Sequence, residues 1–274
     1  MKNTNQQVRN PDRLNAFFSN CMKKFALLAF PAVAMLMLAT PTAAHASESW
    51  GVYFPENGAP QANSTAQHLA QFDTFFIGNE DDKVLYLTFD AGYENNLTPG
   101  ILDTLQKHNA PAAFFLVGTY IRDYPEIVTR IVQEGHIVAN HTMSHPDMSK
   151  MADLDAFKRE LALVEELYEK LIGEEIPKFY RPPKGIYSET NLKHAQELGY
   201  KTIFWTTAYM DWDTSKQPSR EEAFSKLMPR TVPGSVVLLH NISQTNADIL
   251  DEYLTRCKEL GYRFETLNHL VEAK

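Results

Sequence analysis

Apolar residues follow two rhythms along this chain. Short runs rich in β-branched and aromatic residues, four to eight long, alternate with longer stretches in which apolar residues recur every three or four positions. The short runs predict strands at residues 84–90, 112–117, 136–140, 178–181, 201–206, 235–240 and 263–267. The longer stretches predict helices at 97–108, 125–134, 154–171, 188–198, 221–228 and 247–260. Gly135, Gly173, Gly199 and Gly261 stand just past four of these helices, where a left-handed residue ends a helix, and Ser188 stands as an N-cap. Strands alternating with helices imply a parallel sheet. Seven such units make the fold class α/β and suggest a closed or nearly closed (β/α) barrel, with a flat doubly wound sheet as the alternative.

Residues 47–82 form a lead-in that precedes the alternation. Pro55, Asn57, Gly58 and Pro60 mark turns there, one short helix is expected near 67–72, and Trp50, Tyr53 and Phe54 are expected to pack the segment onto the barrel. Nothing marks a second folded domain after it, so residues 83–274 are read as one unit. Further upstream, Lys23 and Lys24 precede an apolar run over residues 25–39, and small residues stand at Ala44 and Ala46. This is the build of a secretory signal peptide with cleavage after Ala46, and Met22 opens a leader of ordinary length. An uncleaved anchor is the alternative, although the run is shorter than the roughly 20 residues that span a membrane. The chain is therefore expected outside the cytoplasm, touching a membrane only through this segment.

Composition narrows the classes further. The formal charge of −8 argues against nucleic-acid binding, which needs a basic face. Of the two cysteines, Cys21 lies before the apolar run, which leaves Cys257 alone within a helical pattern. A core of some 228 residues must then supply stability without an internal disulfide, and Cys257 is read as a small core residue.

Candidate chemistry gathers at strand ends. Asp90 closes the first strand, beside Ala91 and Gly92. Asn140-His141-Thr142-Met143-Ser144-His145 follows the third, Arg181-Pro182-Pro183-Lys184-Gly185 the fourth, Tyr209-Met210-Asp211-Trp212 the fifth, and His240 closes the sixth. In a barrel those ends share the face that carries active sites. Each feature has a plainer reading by itself: Asp90 as a helix cap, His141 and His145 as a solvated pair, Arg181 as a surface charge, Asp211 as a turn acid, His240 as a core histidine. All five on one face are harder to dismiss. His141 and His145, four apart, would lie on one side of a helical turn and could grip one metal ion. His45, His68, His108, His136, His194 and His269 show no such pattern.

Thr88-Phe89-Asp90-Ala91-Gly92, His141 to His145, Arg181-Pro182-Pro183-Lys184-Gly185, Asp211-Trp212 and Leu238-Leu239-His240 resemble the five ordered motifs of the polysaccharide deacetylase (NodB homology) family, carbohydrate esterase family 4. The stretches from Phe89 to Asn95 and from Trp205 to Trp212 look closest to its delta-lactam-biosynthetic branch, which removes acetyl from N-acetylmuramic acid of spore-cortex peptidoglycan. The resemblance implies a distorted (β/α)7 barrel of NodB type and a divalent metal, usually zinc, held by His141 and His145. It implies Asp90 as general base, His240 as general acid, Arg181 orienting Asp90, Asp211 orienting His240, and the Lys184 N–H at the oxyanion. Trp212 would line the acetyl pocket, and Tyr93 and the Lys184 side chain would meet substrate. Peptidoglycan glycan strands would be the partner and the chain a monomer.

The sequence departs from that family at one place. Ala91 stands where most members carry a second acid that completes the metal site, so metal binding is expected to be weak, and Ala91→Asp is expected to strengthen it. Glu94 could substitute as a ligand, but a solvated loop acid is the preferred reading. Two alternatives remain open from sequence: N-acetylglucosamine as the target sugar, and an inactive glycan-binding homologue.

Overall fold

The computed structural model describes residues 46–55 and 60–272. The leader reading of residues 1–45 and the turn at Asn57 and Gly58 lie outside the described residues. Among the described residues no helix is long and apolar enough to cross a membrane.

The central sheet holds strands β1 (Thr74–Phe75), β2 (Val84–Ala91), β3 (Ala112–Leu116), β4 (Ile137–Asn140), β5 (Phe179–Tyr180), β6 (Lys201–Ile203), β7 (Val236–His240) and β8 (Arg263–Phe264). Seven run side by side in the order β7-β2-β3-β4-β5-β6-β1, every pair parallel. Isolated bridges close the row: Ile77, just after β1, pairs with Ser235, just before β7, and Thr207, beyond β6, pairs with Val237 of β7. The sheet therefore curls into a distorted, irregularly closed barrel, and the flat alternative falls away.

One of the seven barrel strands differs from expectation. β1 comes from the lead-in and pairs with β6. The run expected at 263–267 is only the two-residue β8, which touches β2 at Val84 and Leu85, and Leu267–Glu272 is a helix. β1 escaped notice because two residues carry no period. The other strands and the six longer helices fall where the pattern puts them, and Ser188 accepts a hydrogen bond from the Asn191 N–H at 3.3 Å as an N-cap. Gly135, Gly173, Gly199 and Gly261 all have positive φ.

The lead-in is more firmly integrated than a loop. A short helix, Ala66–Ala70, lies where one was expected. Trp50 is buried, stacks on Phe204 at 4.5 Å between centroids, and donates from Nε1 to the Trp205 carbonyl at 2.9 Å. Phe54 lies under the Arg230 guanidinium. Tyr53, in contrast, is 66% exposed, on a two-stranded antiparallel pair, Val52–Tyr53 with Gln61–Ala62, and is not part of the packed core.

Side chains alternate along every strand, which sorts them into two layers. Phe89, Ala91, Phe114, Leu116 and Val138 belong to the apolar layer under the helices. Tyr86, Phe115, Ile137, Ala139, Phe179, Ile203 and Val236 fill the barrel interior. Continuing the interior rows by two-residue steps leads from Tyr86 through Thr88 to Asp90, from Ala139 to His141, from Phe179 to Arg181, and from Val236 through Leu238 to His240. The polar residues at the strand ends are thus the last rungs of the apolar interior rows. Cys257 is fully buried, and burial pushes its thiol up to about 12, consistent with a core residue.

Candidate active site

Asp90 and His240 are direct register partners on adjacent strands β2 and β7. Partners in register put their side chains on the same side of the sheet, so the proposed base and acid share one mouth of the barrel. Arg181, fully buried, reaches the same point from the end of β5. Its Nη1 donates to Asp90 Oδ1 at 2.7 Å, Nη2 to Thr88 Oγ1 at 3.0 Å and to the Phe204 carbonyl at 3.3 Å, and Nε to the Ile203 carbonyl at 2.9 Å. The guanidinium lies 4.0 Å from the centroid of Phe115. Burial pushes the Asp90 pKa up, but the positive Arg181, with lesser help from His141 and His240, outweighs it and holds the carboxyl below its ordinary range. Asp90 is therefore ionised, as a base must be.

Asp211 follows β6 and is 1% exposed. Its Oδ1 accepts from His240 Nδ1 at 2.7 Å and its Oδ2 from the His240 backbone N–H at 2.8 Å. With Nδ1–H committed to a carboxylate, His240 presents Nε2 as the group that exchanges protons. Burial lowers the His240 pKa, but the Asp211 charge and hydrogen bond overcome that and raise it. A raised imidazole and a lowered carboxylate side by side are the split that acid–base pairs need.

His141 and His145 face the same mouth, though not on a helical turn as their spacing suggested. The segment is a loop in which Thr142 and His145 have positive φ. It is pinned by side-chain and backbone bonds: Asn140 Oδ1 accepts from the Thr142 N–H at 2.9 Å, Thr142 Oγ1 from the His145 N–H at 3.0 Å, and the Thr142 carbonyl from Gly118 at 3.0 Å. Gly118 permits this approach, because a Cβ there would overlap the Met143 sulfur. The two imidazoles come to 4.9 Å between centroids, and His141 Nε2 lies 3.5 Å from Asp90 Oδ2. His141 Nδ1 bonds the Arg181 carbonyl at 2.9 Å, so it carries the proton and Nε2 is left with its lone pair. Burial drives the His141 pKa down to about 4 and also lowers that of His145, where Lys184 adds to the effect. Both rings are thus neutral at pH 7.

Two neutral imidazole nitrogens facing one mouth suit a divalent cation. A third protein ligand is missing: no cluster of three His, Cys, Asp or Glu side chains is arranged for a metal among the described residues. Ala91 is 1% exposed and packs in the helix-side layer with Phe89 and Leu116. Glu94 does not replace the missing acid. Its carboxylate accepts from the Thr98 N–H and hydroxyl, from the Tyr120 hydroxyl at 2.6 Å and from Asn241 Nδ2 at 3.3 Å. It is therefore neither a ligand nor a solvated loop acid, but the structural anchor of the helix Thr98–Lys107.

The outer rim holds the residues expected to meet substrate. Trp212 is 51% exposed with its ring centroid 6.1 Å from that of His240, and Tyr93 is 49% exposed. Exposed Lys184 sits at φ +60 in the turn Pro183–Gly185, which the Gly185 N–H closes onto the Pro182 carbonyl at 3.0 Å. Sequence reasoning passed over Thr88 and Asn246, which bond Arg181 and Asp211 directly. Thr88 could have been found two residues before Asp90 on the same strand face, whereas Asn246 gave no local signal. His108, set aside earlier, is buried against Asp251 at 2.6 Å, away from this mouth.

A family model described as polysaccharide deacetylase matches residues 77–203. It stops before Asp211 and His240, which the strand register and hydrogen bonds tie to Asp90. The chain is 38% identical over 220 residues to the peptidoglycan-N-acetylmuramic acid deacetylase PdaA of Bacillus subtilis, covering 80% of this chain and 82% of that protein. The structure of that PdaA, described as a family 4 carbohydrate esterase, matches with a TM-score of 0.78 at 37% identity, covering 82% of this chain and 96% of the other. A peptidoglycan-N-acetylglucosamine deacetylase of Bacillus cereus is 37% identical over 201 residues, covering 72% of this chain and 71% of that protein. On this similarity and on the fold, the chain belongs to the polysaccharide deacetylase family and is a hydrolase of the family 4 carbohydrate esterase type.

Proposed function

We propose that this protein removes the acetyl group from N-acetylmuramic acid in peptidoglycan, working outside the cytoplasm on glycan strands. The observation that carries the reading is the register pairing of Asp90 with His240, with Arg181 and Asp211 each bonded to one of them. Asp90 accepts a proton from the attacking water, and Arg181 fixes the carboxylate that does so. His240 donates a proton from Nε2 to the departing amine, and Asp211 steadies the resulting changes of charge on the ring. The Lys184 N–H serves the developing oxyanion. Trp212 and Tyr93 offer flat apolar faces to the sugar and its acetyl methyl, and the Lys184 ammonium suits the lactyl carboxylate of a muramic residue whose stem peptide is absent. His141 and His145 are the residues that would hold a divalent ion, zinc by donor type. Such an ion supplies Lewis-acid polarisation of the amide. Ala91 makes that site weak.

Similarity to PdaA supports muramic acid as the target, and the production of muramic delta-lactam in spore cortex would follow from it. Similarity to the Bacillus cereus protein supports a second reading, deacetylation of N-acetylglucosamine. An inactive glycan-binding role fits less well, because it gives Asp90, Arg181, Asp211 and His240 no reason to form one connected array. Mass spectrometry of purified peptidoglycan before and after incubation separates the readings. Loss of acetyl from the muramic residue is expected. Loss from glucosamine alone would overturn the substrate assignment, and an unchanged glycan would overturn the reaction.

A further inference from the structure

Asp211 does not stand alone behind His240. The helix Gln244–Glu259 begins with Ser243 as its N-cap, and the Asn246 N–H donates to Ser243 Oγ at 3.1 Å. This places the Asn246 side chain against the carboxylate. Asn246 Nδ2 donates to Asp211 Oδ2 at 2.6 Å and to the His240 carbonyl at 3.1 Å, and Asn246 Oδ1 accepts from the Tyr209 hydroxyl. Asn246 and Asp211 are each 1% exposed and Tyr209 is 8% exposed. An amide can donate or accept from either side, depending on how it is turned. Here the Asp211 carboxylate and the His240 carbonyl settle the question, because both can only accept, so the amide NH2 must face them. The amide oxygen is then left to the Tyr209 hydroxyl, which burial and the nearby Asp211 charge hold protonated and which donates to it.

We propose that Asn246, its NH2 turned to Asp211 and the His240 carbonyl and its oxygen held by Tyr209, is a positioning residue that aims the Asp211 carboxylate at His240 and so sets the tautomer of that ring. The inference builds on the deacetylase reading, in which His240 is the acid. Asp211 then receives three N–H donors and offers none: the His240 backbone, His240 Nδ1 and Asn246 Nδ2. Without Asn246 the carboxylate loses a charge-assisted bond, which is free to be replaced by rotation of the acid away from the ring. Other charged or titratable groups bearing on His240 are Asp90, Arg181 and His145, carried by β2, by the end of β5 and by the loop after β4. None of them bonds Asp211 in place of the amide.

The test uses the full mature chain as wild type, Asn246→Ala and Tyr209→Phe. Side-chain nitrogen NMR reads the His240 tautomer above its titration midpoint, and acetate release from peptidoglycan reads kcat and KM. Wild type is expected to show a single Nδ1–H tautomer. Asn246→Ala is expected to show a mixture of tautomers and a kcat lower by roughly 10-fold or more with little change in KM, the rate equivalent of losing a hydrogen bond to a charged group. Tyr209→Phe should move both readouts in the same direction by less. A purely structural role would lower the melting temperature while leaving tautomer and kcat alone, and that result overturns the proposal. Should Asn246→Ala fail to fold, an unchanged tautomer and kcat in Tyr209→Phe overturns it equally. A wild type that releases no acetate, with a tautomer that still depends on Asn246, would reject the deacetylase reading and leave the positioning role standing.

Discussion

Replacing Arg181 by Met should expose how much of the site depends on one buried ion pair. The guanidinium is fully buried, and Asp90 keeps only 9% exposure. Removing one member of such a pair strands the other charge and typically costs about 3–5 kcal/mol. Met refills part of the space over Phe115, so about 4 kcal/mol is expected here. Asp90→Asn keeps an acceptor for Arg181 and keeps its bonds to Thr88, Ile203 and Phe204, so about 2 kcal/mol is expected from the weakened charge-assisted bond. In the double variant no charge is stranded, and its cost should fall short of the sum by at least about 1 kcal/mol. Urea unfolding at pH 7 with a chelator present, followed by tryptophan fluorescence, measures all three. With a slope of about 2 kcal/mol/M the Arg181→Met midpoint should drop by roughly 2 M. The deficit should also depend on pH. In wild type the Asp90 pKa lies below its unfolded value, so its contribution is present above the ordinary carboxylate range and is lost as pH falls through the lowered value. In Arg181→Met burial acts without its main opponent and the folded-state pKa rises above the unfolded one. Protonation then relieves the stranded charge, and the deficit shrinks as pH falls through that raised value. Strict additivity within about 0.5 kcal/mol, together with a deficit independent of pH, would refute the pairing.

Three further predictions follow from the same geometry. Asp211→Asn puts an NH2 either against the His240 backbone and Asn246 donors or against Nδ1, which must then give up its proton and leave the ring in the wrong tautomer, so kcat should fall by roughly 10²–10⁴. Because burial and the Arg181 charge are then opposed at His240 only by the more weakly acting Asp90, the high-pH limb of the pH–rate profile should move to lower pH, and an unmoved limb would contradict the pairing. Ala91→Asp should raise zinc affinity in isothermal titration while lowering metal-free stability by about 1–3 kcal/mol, since the side chain starts in an apolar layer; an unchanged affinity would show that position 91 is not the missing ligand position. Gly185→Ala should destabilise by about 1–3 kcal/mol, because its φ is +65 and a Cβ would come within 2.6 Å of the Trp205 ring. A melting temperature equal to wild type would mean the turn relaxes freely.

Much of this was legible in the sequence because two rules are local. The alternation of short apolar runs with helical stretches put Asp90, Arg181 and His240 at strand ends that share one face, and glycines stood where the apolar period of four helices ended. What was not legible depended on contacts between distant segments. β1 is two residues long and becomes a barrel strand only because β6 lacks a neighbour on that side. Val84 to Ala91 announces itself by eight buried residues, whereas Thr74 and Phe75 cannot. The spacing of His141 and His145 suggested a helical turn, but Thr142 and Asn140 hydroxyl and amide bonds hold a loop instead. Glu94 looked free because its partners, Tyr120 and Asn241, are far away in sequence.

Acetate release tests most directly whether Asp90 and His240 form one hydrolytic pair. Purified peptidoglycan should be incubated with the wild-type chain, with Asp90→Asn and with His240→Ala, each supplied with zinc and each verified as folded. Release of acetate by the wild-type chain, lost in both variants, is the predicted result. Equal release by wild type and Asp90→Asn, or none from a folded wild-type chain, would contradict it.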